Sequence, residues 1–362
     1  MKKNIIRLFI ALIGVIGLAA ACGDGDAVSL GQNLPPTAEA AKDASEAPAD
    51  LKEGEVWEAG RRYFVIKVPN TAELTSPEIL MAAEENGHFA ENGIKLNYVG
   101  AVPTTQTIPS VLKGIIHTNA GGHVNTTISA IAAGAKIMAV AQKTESTERV
   151  PHMVAIVKID SPIKSAQDMM GKKIGSPSAT GCSGYFPLAF LRKFGVKDQK
   201  NAIEQVIIKE TLIEQALRQG DVDVALMHKT PEYFENNGEF RVLFSDYDIW
   251  ENRGGGTPFY FHLDFIKAHP EVVRGFAAAM AKTANWASAN PRLNREITAR
   301  RTKTDVNSIT ERYYAPNAII KEESVTVWMD LLLEYNELTQ EVDLNRVYTN
   351  EFNPFYDKTS MN

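Results

Sequence analysis

From Tyr63 onward, short apolar strands alternate with short helices, and this alternation is the strongest constraint on the fold. Tyr63–Val68 reads as a strand stopped by Pro69-Asn70. Ser76-Pro77-Glu78 reads as a helix start, with Ser as N-cap and Pro at the first helical position. That helix presents Leu80, Ala83 and Gly87 on one face, and Ile94, Leu96 and Tyr98 then alternate as a strand. A helix around Thr105–Lys113, a Gly121-Gly122 turn, a helix about Thr126–Ala133 and a strand Lys136–Ala141 follow. The pattern repeats through strands Val154–Val157, Lys172–Gly175, Val206–Ile208, Val222–Met227 and Arg241–Phe244, with Thr211-Leu-Ile-Glu214 as a capping box opening a helix to Gln219. After Gly254-Gly-Gly256 come a strand Phe259–Leu263 and a helix from about Pro270 to Ala289, striped by Val273, Phe276, Ala277, Met280 and Ala284. The rest, to about Leu338, reads as helical. Such spacing predicts βαβ units and an α/β fold of two lobes, each a mostly parallel sheet flanked by helices. Lobe one is expected over 55–157 and 254–362 and lobe two over 158–253, with crossings near Ile159-Asp160-Ser161 and Trp250–Gly256. Gly254–Gly256 is expected to supply hinge freedom.

The first 21 residues read as an export signal. Lys2, Lys3 and Arg7 form a basic start, and Leu8–Ala21 is an apolar run that ends at Cys22. The run is shorter than the roughly 20 residues a membrane span needs. A cysteine directly after small residues is the pattern of a bacterial lipoprotein signal, with Cys22 as the lipidated first residue. Residues 22–54 are rich in Ala, Asp, Glu, Pro and Gly and read as a flexible tether.

Net charge of −6 becomes −9 once Lys2, Lys3 and Arg7 leave with the signal, which disfavours nucleic acid as a partner. With Cys22 lipidated, Cys182 has no intrachain partner, so no disulfide is expected. No metal-type cysteine spacing is present, and neither a metal nor a cofactor is expected. Cys182 itself reads as a small buried thiol, because the sequence places no histidine–acid set beside it.

Several phrases then carry a resemblance. Ala82–Ile94, Ile131–Ile137, Asp160–Ile174, Ala216–Ala225 and His269–Val273 resemble, in order and spacing, the solute-binding proteins of ABC transporters for nitrate, sulfonates, taurine and thiamine-precursor pyrimidines. The resemblance implies a type II periplasmic-binding-protein clamshell. It would bind a small solute between its lobes and deliver it to a permease and ATPase complex, from a lipid-anchored position in the bacterial cell envelope. It also implies a monomer and not an enzyme; the fungal pyrimidine synthases of this fold carry a cysteine-rich iron motif that this chain lacks. A sensory binding protein feeding a membrane receptor would have the same cleft.

Ligands of open α/β sheets sit outside the carboxyl ends of the strands. That rule selects the loops Asn70–Leu74, Gly121–Thr126, Ser176–Ser183 and Met227–Thr230. The candidates are Thr71, Glu73, His123, Asn125, Thr126, Ser178, Thr180, Gly181, Cys182, Ser183, His228 and Lys229. The hydroxyl-rich run Ser176–Ser183 leads into a helix and suits an anion at free backbone N–H groups, or simple N-capping. His228 and Lys229 favour a sulfonate or carboxylate, and Glu73 could hold an ammonium, which together point to taurine-like aminosulfonates. An aromatic carboxylate or pyrimidine is the alternative, with Tyr185, Trp250 and Tyr260 either walling the cleft or belonging to the core. A test of the N-terminal reading is Cys22→Ala, which is expected to move the protein from the membrane to the soluble fraction. Unchanged fractionation refutes the lipid anchor.

Overall fold

A computed structural model describes residues 46–70, 76, 78–236 and 238–357. The signal, Cys22, most of the tether, Thr71 and Glu73 lie outside the described residues. The described body carries three sheets. Strands β1 (Glu55–Glu58), β2 (Arg61–Asn70) and β3 (Ile94–Ala101) form the first, with β1–β2 antiparallel and β2–β3 parallel. Strand β4 (Ile137–Gln142) pairs antiparallel with β10 (Pro258–His262). Strands β5 (Val154–Lys158), β6 (Lys173–Ser176), β7 (Glu204–Ile207), β8 (Val224–Met227) and β9 (Phe240–Ser245) form the third, in the order β7-β6-β8-β5-β9.

The sheets are mixed rather than mainly parallel. β6 runs parallel to β7 and β8, but β5 lies antiparallel to both β8 and β9. The sequence reading assigned Val154–Val157 to the end of lobe one; its hydrogen bonds join it to the sheet of the 158–253 segment. Both faces of β5 are buried. Val154 and Ile156 enter one core cluster while Ala155 and Val157 enter another, as the two-residue period of a strand dictates. The fully buried, continuous apolar run therefore has no polar face to mark its direction.

Helix Pro270–Ala289 forms over the expected residues, and Val273, Phe276, Ala277, Met280 and Ala284 are all buried. Phe276 packs edge-on against Phe259 and Phe261 of β10, at 5.3 and 5.1 Å between ring centroids. Two expected caps differ. Helix Ile79–Glu85 is capped by Glu78, whose carboxylate accepts from Leu80 N, rather than by Ser76. Helix Glu210–Gln219 starts one residue before the expected Thr211–Glu214 box, so Thr211 lies inside it and the N-cap is Lys209, which makes no side-chain cap. The stretch expected to continue as helix is interrupted after Thr302. Only single 3₁₀ turns, Val306–Ser308 and Pro316–Ala318, precede helix Glu323–Glu334. Among the described residues no helix is long and apolar enough to cross a membrane.

Gly254, Gly255 and Gly256 do not act through conformational freedom. All three are buried and none has a positive φ. They are glycine because neighbours press on them: a Cβ on Gly255 would overlap Ser146 Oγ and lie 2.9 Å from Ser146 N, and one on Gly256 would lie 2.6 Å from Gln142 Nε2. Gly255→Ala is accordingly expected to cost about 1–3 kcal/mol through overpacking. Thermal unfolding would show a lower Tm with an unchanged far-ultraviolet spectrum; a wild-type Tm contradicts the close-packing account.

Candidate functional site

Three of the four expected loops converge. His123 is the N-cap residue of helix Val124–Ala132, but its ring does not cap the helix. Instead His123 Nε2 lies 3.0 Å from the Gly254 carbonyl, which also accepts from Trp328 Nε1 at 3.0 Å. The carbonyl can only accept, so Nε2 carries the proton and Nδ1 keeps its lone pair. Nδ1 is buried and has no partner among the described residues. Asn125 and Thr126 serve the helix start locally. Asn125 Oδ1 accepts from Thr126 N at 2.9 Å, and Thr126 Oγ1 donates to His123 O at 2.7 Å.

The 176–183 run folds back on itself before helix Gly181–Lys193. Gly184 permits this, since a Cβ there would overlap the carbonyl of Ala179. Ser178 Oγ accepts from Thr180 N at 3.1 Å, and Ser183 Oγ donates to Ser178 O at 3.2 Å. Ser183 is buried and its hydroxyl spent within the loop; Thr180 makes no side-chain cap. Gly181 adopts φ 71° and places Cys182 in the first turn.

Cys182 Sγ lies 3.4 Å from His228 Nε2, and His228 Nδ1 lies 2.8 Å from Glu210 Oε2. Glu210 also accepts from His228 N. The histidine–acid set absent from the sequence reading is thus present, and Cys182 is not an isolated thiol. Burial works against both charges, yet the pair prevails: Glu210, with Cys182, carries His228 up to about 10, and His228 draws Glu210 down to about 2.

His152 packs between these groups, its ring 5.0 Å from that of His228 and 5.2 Å from that of His123. Both of its ring nitrogens are buried without a partner among the described residues. Burial holds His123 down to about 3 and His152 well below the ordinary range, so both are neutral. Arg312 is buried, donates through Nη2 to His228 O at 2.7 Å, and leaves Nη1 unpartnered among the described residues. Asp246 accepts from Ser146 Oγ and, at 3.1 Å, from Met153 N; burial pushes its carboxyl up to about 6.

Lys229 is buried rather than free. Its Nζ donates to Ser308 O at 3.1 Å and sits 4.4 Å from the Tyr233 ring centroid. Beyond it opens a cavity of about 440 Å³, lined among others by Thr230, Tyr233, Glu232, Arg295, Thr310 and Glu311. Arg295 Nε and Thr310 Oγ1 have no partner among the described residues. Tyr185, Trp250 and Tyr260 belong to the main core cluster, the second of the two places considered for them.

His152, Glu210, Asp246, Arg295, Thr310 and Arg312 escaped the sequence reading. The strand-end rule looks only at carboxyl ends. β5 is antiparallel to β8, with Val154 opposite Met227, so its amino end delivers His152 beside His228.

The His228–Glu210 pair supports the fold over a definite pH window. The contribution of His228, whose value is raised, is fully present below about 6.5 and lost as pH rises through about 10. That of Glu210, whose value is depressed, is present above about 4.5 and lost as pH falls through about 2. Their side chains are 22% and 19% exposed, so Glu210→Ala should cost about 2–3 kcal/mol, less than a fully buried pair. Urea midpoints for Glu210→Ala and wild type should differ most between about pH 4.5 and 6.5 and converge toward pH 10. A difference independent of pH contradicts the pairing.

Residues 77–293 match the family described as NMT1/THI5 like. No curated protein matches the chain. Among solved structures, the periplasmic aliphatic sulphonate binding protein SsuA from Escherichia coli is 18% identical with a TM-score of 0.61, over 78% of this chain and 91% of that one. The alkanesulfonate-binding protein SsuA from Xanthomonas axonopodis pv. citri, bound to MOPS, is 15% identical with a TM-score of 0.60, over 79% and 98%. The desulfurization enzyme DSZB is 16% identical with a TM-score of 0.57, over 80% and 97%. The shared fold is that of periplasmic binding proteins.

Proposed function

The chain belongs to the NMT1/THI5-like family, and from that premise we propose that it is the extracytoplasmic solute-binding component of an ABC importer, taking a small organic anion such as an alkanesulfonate or a taurine-like aminosulfonate. Two lobes would close on the solute. Lobe two would run over 158–253 together with β5, and lobe one over the remaining body, a division supported by the pairing of β5 with β8 and β9. On this division the cavity lies between them, with Thr230 and Tyr233 on one side and Arg295 and Thr310 on the other.

The observation that carries the reading is a pair of unpartnered polar groups beside that cavity. Arg295 and Thr310 line it, and Arg295 Nε and Thr310 Oγ1 are buried with no partner among the described residues. A buried donor without a partner is costly, and a small turn of either side chain toward the cavity would let an anionic oxygen satisfy it. The volume suits a small solute. Glu232 and Glu311 among the lining residues favour a zwitterion, a role the sequence assigned to Glu73. SsuA, of the same fold, binds alkanesulfonates, which supports this ligand class over nitrate. Thr180, exposed at the start of helix Gly181–Lys193, remains a proposed contact at the cleft's edge. A lipid on Cys22 would hold the monomer near its permease and ATPase. The role is binding rather than catalysis.

Titration calorimetry with hexanesulfonate, taurine and nitrate tests this. Hexanesulfonate or taurine is expected to bind. Arg295→Gln should weaken that binding about 10–100-fold, the loss of a charge-assisted hydrogen bond, without lowering Tm. Stabilisation only by neutral heterocycles, or equal affinity in Arg295→Gln and Thr310→Ala, defeats the reading.

A further inference from the structure

We propose that His123, His152 and Cys182, with His228 as fourth donor, form a buried site for one divalent cation of the zinc class. The proposal goes beyond the solute reading, since none of these four residues lines the cavity.

Buried ring nitrogens here lack partners. His123 is 5% exposed, yet its Nδ1 has no partner among the described residues, and neither has either ring nitrogen of His152. One ligand atom from each of His123, His152 and Cys182 lies within 4.8 Å of the others. A tetrahedral site with metal–nitrogen bonds near 2.0–2.1 Å and a metal–sulfur bond near 2.3 Å holds its donors about 3.3–3.7 Å apart. Contraction by about 1–1.5 Å therefore brings these three donors to ligating distance, and the His228 ring must turn toward them to supply the fourth. His228 Nε2 already stands 3.4 Å from Cys182 Sγ.

The surroundings are those a metal site requires. Ligating histidines give their other N–H to a carbonyl or carboxylate, which fixes the tautomer. His123 Nε2 is held by the Gly254 carbonyl, leaving Nδ1 free to ligate. His228 Nδ1 is held by Glu210, so Nε2 can ligate once the proton it shares with Cys182 Sγ has left. Charge also balances: a Cys182 thiolate, Glu210 and Asp246 offset a dication and the buried Arg312. Imidazole and thiolate donors select zinc-like ions over calcium or magnesium, which want oxygen. On binding, the Cys182 sulfur and His228 Nε2 release the proton they share to solvent, and no redox change occurs.

The test uses the purified protein stripped of metal by chelation. Zinc is titrated in competition with a chromophoric chelator, and cobalt(II) serves as a spectroscopic probe. One ion per chain is expected, with a thiolate-to-cobalt charge-transfer band and the intense visible bands of tetrahedral cobalt. Cys182→Ser should abolish the charge-transfer band. His152→Ala should weaken zinc binding at least about 100-fold, and Glu210→Gln about 10–100-fold through orientation of His228. Melting of the metal-free variants confirms that they fold, and His152→Asn substitutes if His152→Ala does not. Absence of stoichiometric uptake overturns the proposal, as does zinc affinity undiminished in both Cys182→Ser and His152→Ala. Rapid, Glu210-dependent alkylation of Cys182 without zinc uptake also overturns it, in favour of a nucleophilic thiolate–imidazolium pair. Hexanesulfonate calorimetry on the same metal-free protein separates the two readings: sulfonate binding without zinc uptake removes only the metal site, and zinc uptake without anion binding removes only the solute assignment.

Discussion

The rest of the structure depends on the close approach of the chain at Gly254–Gly256. Three successive carbonyls there bind three different parts of the molecule. Gly254 O accepts from His123 and Trp328, Gly255 O accepts from Thr144 Oγ1 at 2.8 Å, and Gly256 O accepts from Val124 N at 3.2 Å. Any side chain at these positions would push Ser146, Gln142 or Trp250 away. Because Ser146 in turn holds Asp246 and His152 N, a displacement at Gly255 would travel directly into the buried polar cluster. Absence of side chains, not freedom of backbone, is what this segment contributes.

Much of the architecture was legible in the sequence because hydrophobic period reports burial directly. Helix Pro270–Ala289 and strands such as β4 and β8 fall close to where their patterns place them. What was illegible has a common cause: competition decided by distant residues. Glu210 stood next to the Thr211–Glu214 phrase with no local mark of its role, and its partner is an imidazole 18 positions away. Continuous apolar β5 carried no mark of strand direction, so its pairing and the placement of His152 stayed hidden. The segment after Thr302 kept helical composition, but Thr144 bridges to Tyr314 and Arg312 reaches His228, and these tertiary bonds replace the helix.

Charge is concentrated in a few buried groups that are each tied to a neighbour. Glu210 and His228 face one another, Arg312 spans to the His228 carbonyl, and Asp246 gathers Ser146 and Met153. Such groups are stable in a dry interior only when their partners are held in place. The surrounding aromatic contacts supply that rigidity: Trp328 meets His123 edge-on at 4.4 Å and Trp250 at 4.7 Å. A polar cluster of this type is fixed by its apolar shell as much as by its own hydrogen bonds.

Lys229 and Arg312 have a kinetic consequence. Each sends a cation to a backbone carbonyl on the opposite segment, Lys229 to Ser308 and Arg312 to His228, so the two ties run in opposite directions across one seam. Separating the 227–230 loop from the 306–312 segment breaks both together, and a hydrogen bond to a charged group contributes about 1.5–3 kcal/mol. Parting of the Thr310 side from the Thr230 side therefore requires two charge-assisted bonds to be given up, one anchored on each segment.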